Sequence, residues 1–128
     1  MTREERFEHA YFMLLHWIDA LSMGYKISDY FEDEDISTIA IYGMGELADR
    51  LVNGLKNSEI KILYGIDRDP ACSVGNINDI YSTEEKNYPA VDAVIIMPFY
   101  DYDNIEEMLR SKVKTDRFIS IEEIIWSL

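Results

Sequence analysis

Apolar positions in this chain recur with more than one period, and the changes of period divide it into elements. Between Arg3 and Met23, Phe7, Tyr11, Leu14, Ile18 and Leu21 fall at i, i+4, i+7, i+11 and i+14, one face of a helix. Phe12, Leu15 and Trp17 spread the apolar surface beyond that stripe, further than a surface helix needs. The pattern predicts a helix that packs on its own domain on one side and offers the other to a second copy, with Gly24 as its stop. A short second helix is predicted from Ile27, Tyr30 and Phe31, with Ser28 as its cap. Glu32-Asp33-Glu34-Asp35 then reads as a solvated connector.

From Thr38 onward, short apolar runs alternate with helical stretches. Thr38–Tyr42, Ile60–Ile66 and Val91–Met97 show little apolar–polar alternation, as strands of a sheet covered on both faces do. Between the first two, Gly45–Lys56 is helical in pattern, with Leu47, Leu51 and Leu55 inward and Ala48 and Val52 beside them. Asp67 to Pro89 is broken by Pro70, Gly75, Asn76 and Asn78. A short strand is predicted at Asp79–Tyr81, and a helical turn at the capping pattern Ser82-Thr83-Glu84-Glu85. A helix follows from the cap at Asp103 to about Lys112, then a strand at Arg117–Ile119. Ser120-Ile121-Glu122-Glu123 opens the last helix.

This order predicts an α/β fold, a three-layer Rossmann-like parallel sheet of four or five strands with an N-terminal helical extension. Residues 1–35 form the extension and 36–128 the nucleotide-binding domain. Right-handed crossovers place a ligand crevice at the C-terminal ends of the first and fourth strands. Gly43–Leu47, Asp67-Arg68 and Pro98–Tyr100 converge there.

Charge narrows the partners. The 25 acids against 12 bases give a net charge of −13, which repels nucleic acid and anionic membrane. Arg110, Lys112 and Lys114 are the nearest approach to a basic cluster. No apolar run reaches the ~20 residues of a membrane span, and the charged start MTREERFEH is no signal peptide, so the expected location is the cytoplasm. The one cysteine, Cys72, excludes a disulfide framework and a cysteine-rich zinc site. His9 and His16 are too far apart along the helix for an i, i+4 metal pair, so no metal is expected. No nucleophile–base motif stands out.

The candidate chemistry lies in Gly43-Met44-Gly45-Glu46-Leu47-Ala48, a G-x-G-x-x-A turn between a strand and a helix. Gly43 permits the sharp turn, Gly45 lets a phosphate approach the backbone, and Ala48 lets the helix pack close. The free amides and dipole of the helix face the ligand. The bland alternative is a turn kept for packing alone. Glu46 stands where a pyrophosphate would sit, and so favours a ligand less centred on phosphate. Asp67 closes the second strand about 20 positions after Gly45, where an acid accepts the ribose hydroxyls and favours NAD over NADP. It is equally placed to cap the Asp69-Pro70 turn. Arg68 beside it is a candidate contact for adenine or phosphate. Pro98, Phe99 and Tyr100 either stack on a sugar or base or pack against the following helix.

Through Ile39–Ala48 (IAIYGMGELA), Ile66-Asp67 and Val91–Ile96 (VDAVII), the chain resembles the small Rossmann-like NAD(P)-binding domains of bacterial surface-polysaccharide and nucleotide-sugar proteins. Those domains occur fused to sugar acetyltransferases, methyltransferases and glycosyltransferases. The resemblance covers Ile36 to the C-terminus, and Gly43, Gly45 and Asp67 match its motif. It implies nucleotide or sugar-nucleotide binding in some members and a structural or docking role in others. The expectation is a domain with no catalytic domain attached. The leading expectation is a non-catalytic module that binds NAD or a nucleotide sugar through Gly43, Met44, Gly45, Glu46, Leu47, Asp67, Arg68, Pro98 and Phe99. It would act with a polysaccharide or nucleotide-sugar enzyme. One alternative is an interaction or dimerisation domain using the Phe7–Leu21 helix, with a vestigial nucleotide site. The other is a small NAD-dependent oxidoreductase.

Overall fold

The strands are β1 (Thr38–Tyr42), β2 (Lys61–Asp67), β3 (Ile80–Ser82), β4 (Ala93–Ile96) and β5 (Phe118–Ser120). In the computed structural model, which describes every residue except 73–76, 78 and 116, they form one sheet in the order β3-β2-β1-β4-β5. Every pairing is parallel. The helices are α1 (Arg3–Ser22), α2 (Ile27–Asp33), α3 (Glu46–Leu55), α4 (Tyr102–Leu109) and α5 (Ile121–Trp126). This is a three-layer, Rossmann-like α/β fold.

Side chains alternate across a strand, and both sides here are covered. Ile39 and Ile41 of β1 enter one apolar cluster with Leu51 and Leu55 of α3 and Ile121, Ile124 and Ile125 of α5. Met13 and Trp17 of α1 and Ile27 and Phe31 of α2 belong to that same cluster. Ala40, between the two isoleucines, enters the opposite cluster with Tyr64, Val94, Ile96 and Ile105 and Leu109 of α4. β1 and β4 pair without irregularity from Ile39 opposite Ala93 to Tyr42 opposite Ile96. The β1–β2 pair carries one register shift, between Ile39 and Ala40.

Element ends follow their capping chemistry. Thr2 and Glu5 form a capping box on α1. Gly24 takes a φ of +91° directly after the α1 cap, the left-handed geometry a glycine adopts freely. Ser120 Oγ accepts the Glu122 amide and starts α5, as its sequence predicts. The second helix differs. Its cap position is Lys26, two residues earlier than expected, and the Asp29 carboxylate accepts the Lys26 amide there. Ser28 is a buried residue inside the helix, not its cap.

Further elements depart from the sequence pattern. Ser82 Oγ accepts the Glu84 amide in a plain turn, and no helix forms there. The helix expected from Asp103 starts at Tyr102 and ends at Leu109, preceded by a 3₁₀ turn over Phe99–Asp101. β2, β3 and β5 each begin and end one residue later than predicted, and β4 is shorter. Gly75, Asn76 and Asn78, expected turn formers, lie outside the described residues.

The largest difference concerns α1. Its core-facing side is Met13, Trp17 and Ala20, whereas Phe7, Tyr11, Leu14, Ile18 and Leu21 all face solvent. The regular apolar stripe is therefore not the one that meets the domain.

At the other end of the sheet, the Asp92 carboxylate accepts the amides of Ser37 and Thr38 at 2.9 and 3.1 Å. Those bonds, Ser37 first, hold its carboxyl below the usual aspartate value. The folded state thus binds this proton less tightly than the unfolded chain does. The resulting stability is complete above the ordinary aspartate range and is lost as pH falls through the folded value. We expect the gap in urea midpoint between the native chain and Asp92→Asn to narrow when pH drops from 7 to about 3. A gap that is constant with pH would refute the clasp. Separately, Met13→Ala should cost about 2–5 kcal/mol in urea unfolding. A loss below about 1 kcal/mol would mean that α1 lies outside the cooperative core.

Candidate functional site

The order β3-β2-β1-β4-β5 reverses direction between β1 and β4. In open parallel sheets the ligand crevice opens at that reversal, beyond the C-terminal ends of the strands. Two loops meet there, the glycine turn after Tyr42 and the segment that starts at Met97. The sheet bonding continues into both: the Gly43 amide donates to the Ile66 carbonyl at 2.8 Å, and the Met97 amide to the Tyr42 carbonyl at 3.0 Å.

Gly43 has a φ of +91°, and a Cβ on it would lie 2.9 Å from Pro98 Cδ. Both the backbone and the space demand glycine. Met44 then turns inward and is fully buried. Its sulfur lies over Gly65 of β2, 2.7 Å from where a Cβ there would stand. With its side chain inward, the Met44 amide turns to Asp67 and donates to Oδ2 at 2.7 Å. The other carboxylate oxygen accepts the Asp69 amide at 2.9 Å. Asp67 thus caps the Asp69-Pro70 turn and clasps the glycine turn at once.

Gly45 is the extended residue that caps α3, and nothing lies within 4 Å of the Cβ it lacks. The space above it is open. Glu46 and Arg68 are solvent-exposed, Leu47 is half-buried, and Ala48 is fully buried against the sheet. Among the described residues, Glu46 has no hydrogen-bond or ion-pair partner. A carboxylate therefore occupies the first turn of α3, the place where the dipole welcomes an anion. Burial pushes the phenol of Tyr42, at the end of β1, above its ordinary value. It stays protonated at neutral pH and able to donate a hydrogen bond.

Pro98 and Phe99 reach the crevice rim, but the aromatic pair is engaged by α1, not by α4. The Phe99 ring stacks on His9 with centroids 5.1 Å apart. The Arg6 guanidinium lies 4.1 Å over the Tyr100 ring. His9 Nε2 is also 2.6 Å from Glu122 Oε1. His9, Arg6 and Glu122 are the residues here that sequence reasoning missed. His9 and Glu122 are 113 positions apart, and no local pattern links them. Two cavities, each about 690 Å³, lie at the opposite end of the sheet. One is lined by Asp92, Arg110, Lys114 and Arg117, the other by Tyr25, Tyr30, Asp33 and Leu128. Among the described residues, no three His, Cys, Asp or Glu side chains are grouped to hold a metal. Among the same residues, no helix is long and apolar enough to cross a membrane.

The fold and this rim define a Rossmann-like α/β domain with a glycine turn after β1 and an aspartate at the end of β2. Comparison with protein-family models, with curated proteins and with solved structures finds no match to the chain.

The clasp is testable. Asp67→Ala leaves the Met44 amide unpaired and should cost about 1–3 kcal/mol in urea unfolding, with Asp67→Asn costing less because one oxygen still accepts. Equal losses for both, or none for either, would mean that the carboxylate does not hold the turn.

Proposed function

We propose that this protein is a cytoplasmic, non-catalytic nucleotide-binding module that takes NAD or a nucleotide sugar. The observation that carries this reading is Asp67. Its carboxylate is fixed at the end of β2 by two backbone amides and stands beside the open face of Gly45. A carboxylate offers about four acceptor positions, so two remain for ribose or sugar hydroxyls. Glu46 and Asp69 add negative charge around the same rim, with Arg68 as the counterweight. That balance favours hydroxyl-rich groups over a pyrophosphate. The module would contribute the nucleoside end of recognition and leave chemistry to an enzyme of polysaccharide or nucleotide-sugar metabolism. The class of that enzyme rests on the resemblance through Ile39–Ala48.

A second reading has its own support. Pro98 packs on Gly43 and Phe99 is held by His9, so side chains of the domain already take up part of the crevice. On this reading the site is vestigial and the domain serves protein contacts.

Thermal melting against NAD, NADP, nucleotide sugars, S-adenosylmethionine and CoA separates the two. A true ligand at 100 times its dissociation constant stabilises the fold by about 2.7 kcal/mol. Gly45→Val should abolish the shift without unfolding the chain, because its side chain enters open space. Glu46→Gln should tighten a phosphate-bearing ligand about 2–5-fold by removing a charge from the α3 dipole. No shift with any member of the panel would favour the vestigial reading.

A further inference from the structure

α1 is apolar on two faces and uses only one. Met13, Trp17 and Ala20 enter the core. Phe7, Tyr11, Leu14, Ile18 and Leu21 lie roughly 110° round the helix from them. They are 64, 59, 37, 57 and 51% exposed. Phe12 and Leu15 extend the exposed surface. Together these side chains present on the order of 700 Å² to solvent, more than the ~300–600 Å² of the largest patch on an ordinary monomer.

Spacing identifies the shape of what covers them. The five residues alternate by four and three, the a/d seam of a coiled coil. A seam of that period fits a second helix lying along it at about 20°. A lipid surface does not fit, since Glu4, Glu8 and Asp19 border the stripe on a chain of net charge −13.

We propose that the occupant is a second copy of this chain, its α1 packed antiparallel on the first about a two-fold axis at Leu14. The area fits. Each copy offers on the order of 700 Å², close to the ~800 Å² per partner of a standard stable interface. The sequence of the stripe also fits, because Phe7 and Leu21 lie equally far from Leu14. A two-fold axis there sets Phe7 against the other copy's Leu21 and Tyr11 against its Ile18, so each aromatic meets an aliphatic. Such self-complementarity is what an isologous contact requires. The stripe also selects the direction: parallel packing would set each residue against its own counterpart, Phe7 on Phe7 and Leu21 on Leu21, and lose the aromatic–aliphatic match. None of this depends on the nucleotide reading.

Sedimentation equilibrium on the full chain tests the proposal. A mass of twice the 15.0 kDa chain is expected. Ile18→Asp should raise the dissociation constant about 30-fold or more, with the circular dichroism spectrum unchanged. Orientation is read by cysteine placement in a Cys72→Ser background. Leu14→Cys should cross-link to its counterpart through a short bismaleimide. Phe7→Cys should not, because the two residues would stand about 21 Å apart. A monomer throughout the concentration range, a dimer that Ile18→Asp leaves intact, or cross-linking at position 7 overturns the proposal.

Discussion

Parallel pairing of β1 with β4 is the constraint on which the rest of this molecule depends. A parallel strand must be covered on both faces, because its crossovers lay helices on either side. Ile39, Ala40 and Ile41 in β1, and all four residues of β4, accordingly have no solvent exposure. One face is roofed by α4. The other is wider than α3 and α5 alone cover, and Met13, Trp17, Ile27 and Phe31 complete it. The N-terminal helices thus supply core side chains to the sheet.

The same pairing sets up the crevice. Because β1 and β4 end side by side, the loops that leave them are forced into contact, and Pro98 rests on Gly43. Gly43 then turns left-handed, Met44 is driven inward, and its amide is left to find Asp67. Each step follows from the previous one by sterics or by the need to satisfy a buried polar group. Asp67 therefore does structural work whether or not a ribose is present. Its two bonds to backbone amides fix the carboxylate at the end of β2, and the carboxylate of Glu46 stands in the first turn of α3.

α1 links the crevice rim to the core. Through Arg6 and His9 it holds the aromatic rim of the crevice, and through Met13 and Trp17 it closes the core. Its remaining apolar face, with coiled-coil spacing, belongs to neither. A helix apolar on two faces is what the proposed pairing of two copies requires.

The sequence by itself determined the α/β class, the place of every strand to within a residue or two, the switch-point location and the glycine turn with its acid. Those features rest on local chemistry: runs of Ile and Val, a glycine pair between strand and helix, and Ser120 as a cap. It did not determine which face of α1 is buried. Phe7–Leu21 is the more regular stripe, yet Met13, Trp17 and Ala20 fill the sheet, because burial depends on the shape of the receiving surface. Nor did it reveal that Phe99 meets His9 in place of the following helix, or that Asp29 rather than Ser28 caps α2. That Asp67 caps the Asp69-Pro70 turn and holds the Met44 amide was likewise visible only in the fold. Such pairings join groups far apart in the chain or choose between neighbours of equal chemistry. Only the packed sheet, by fixing the distances between them, decided which bonds form.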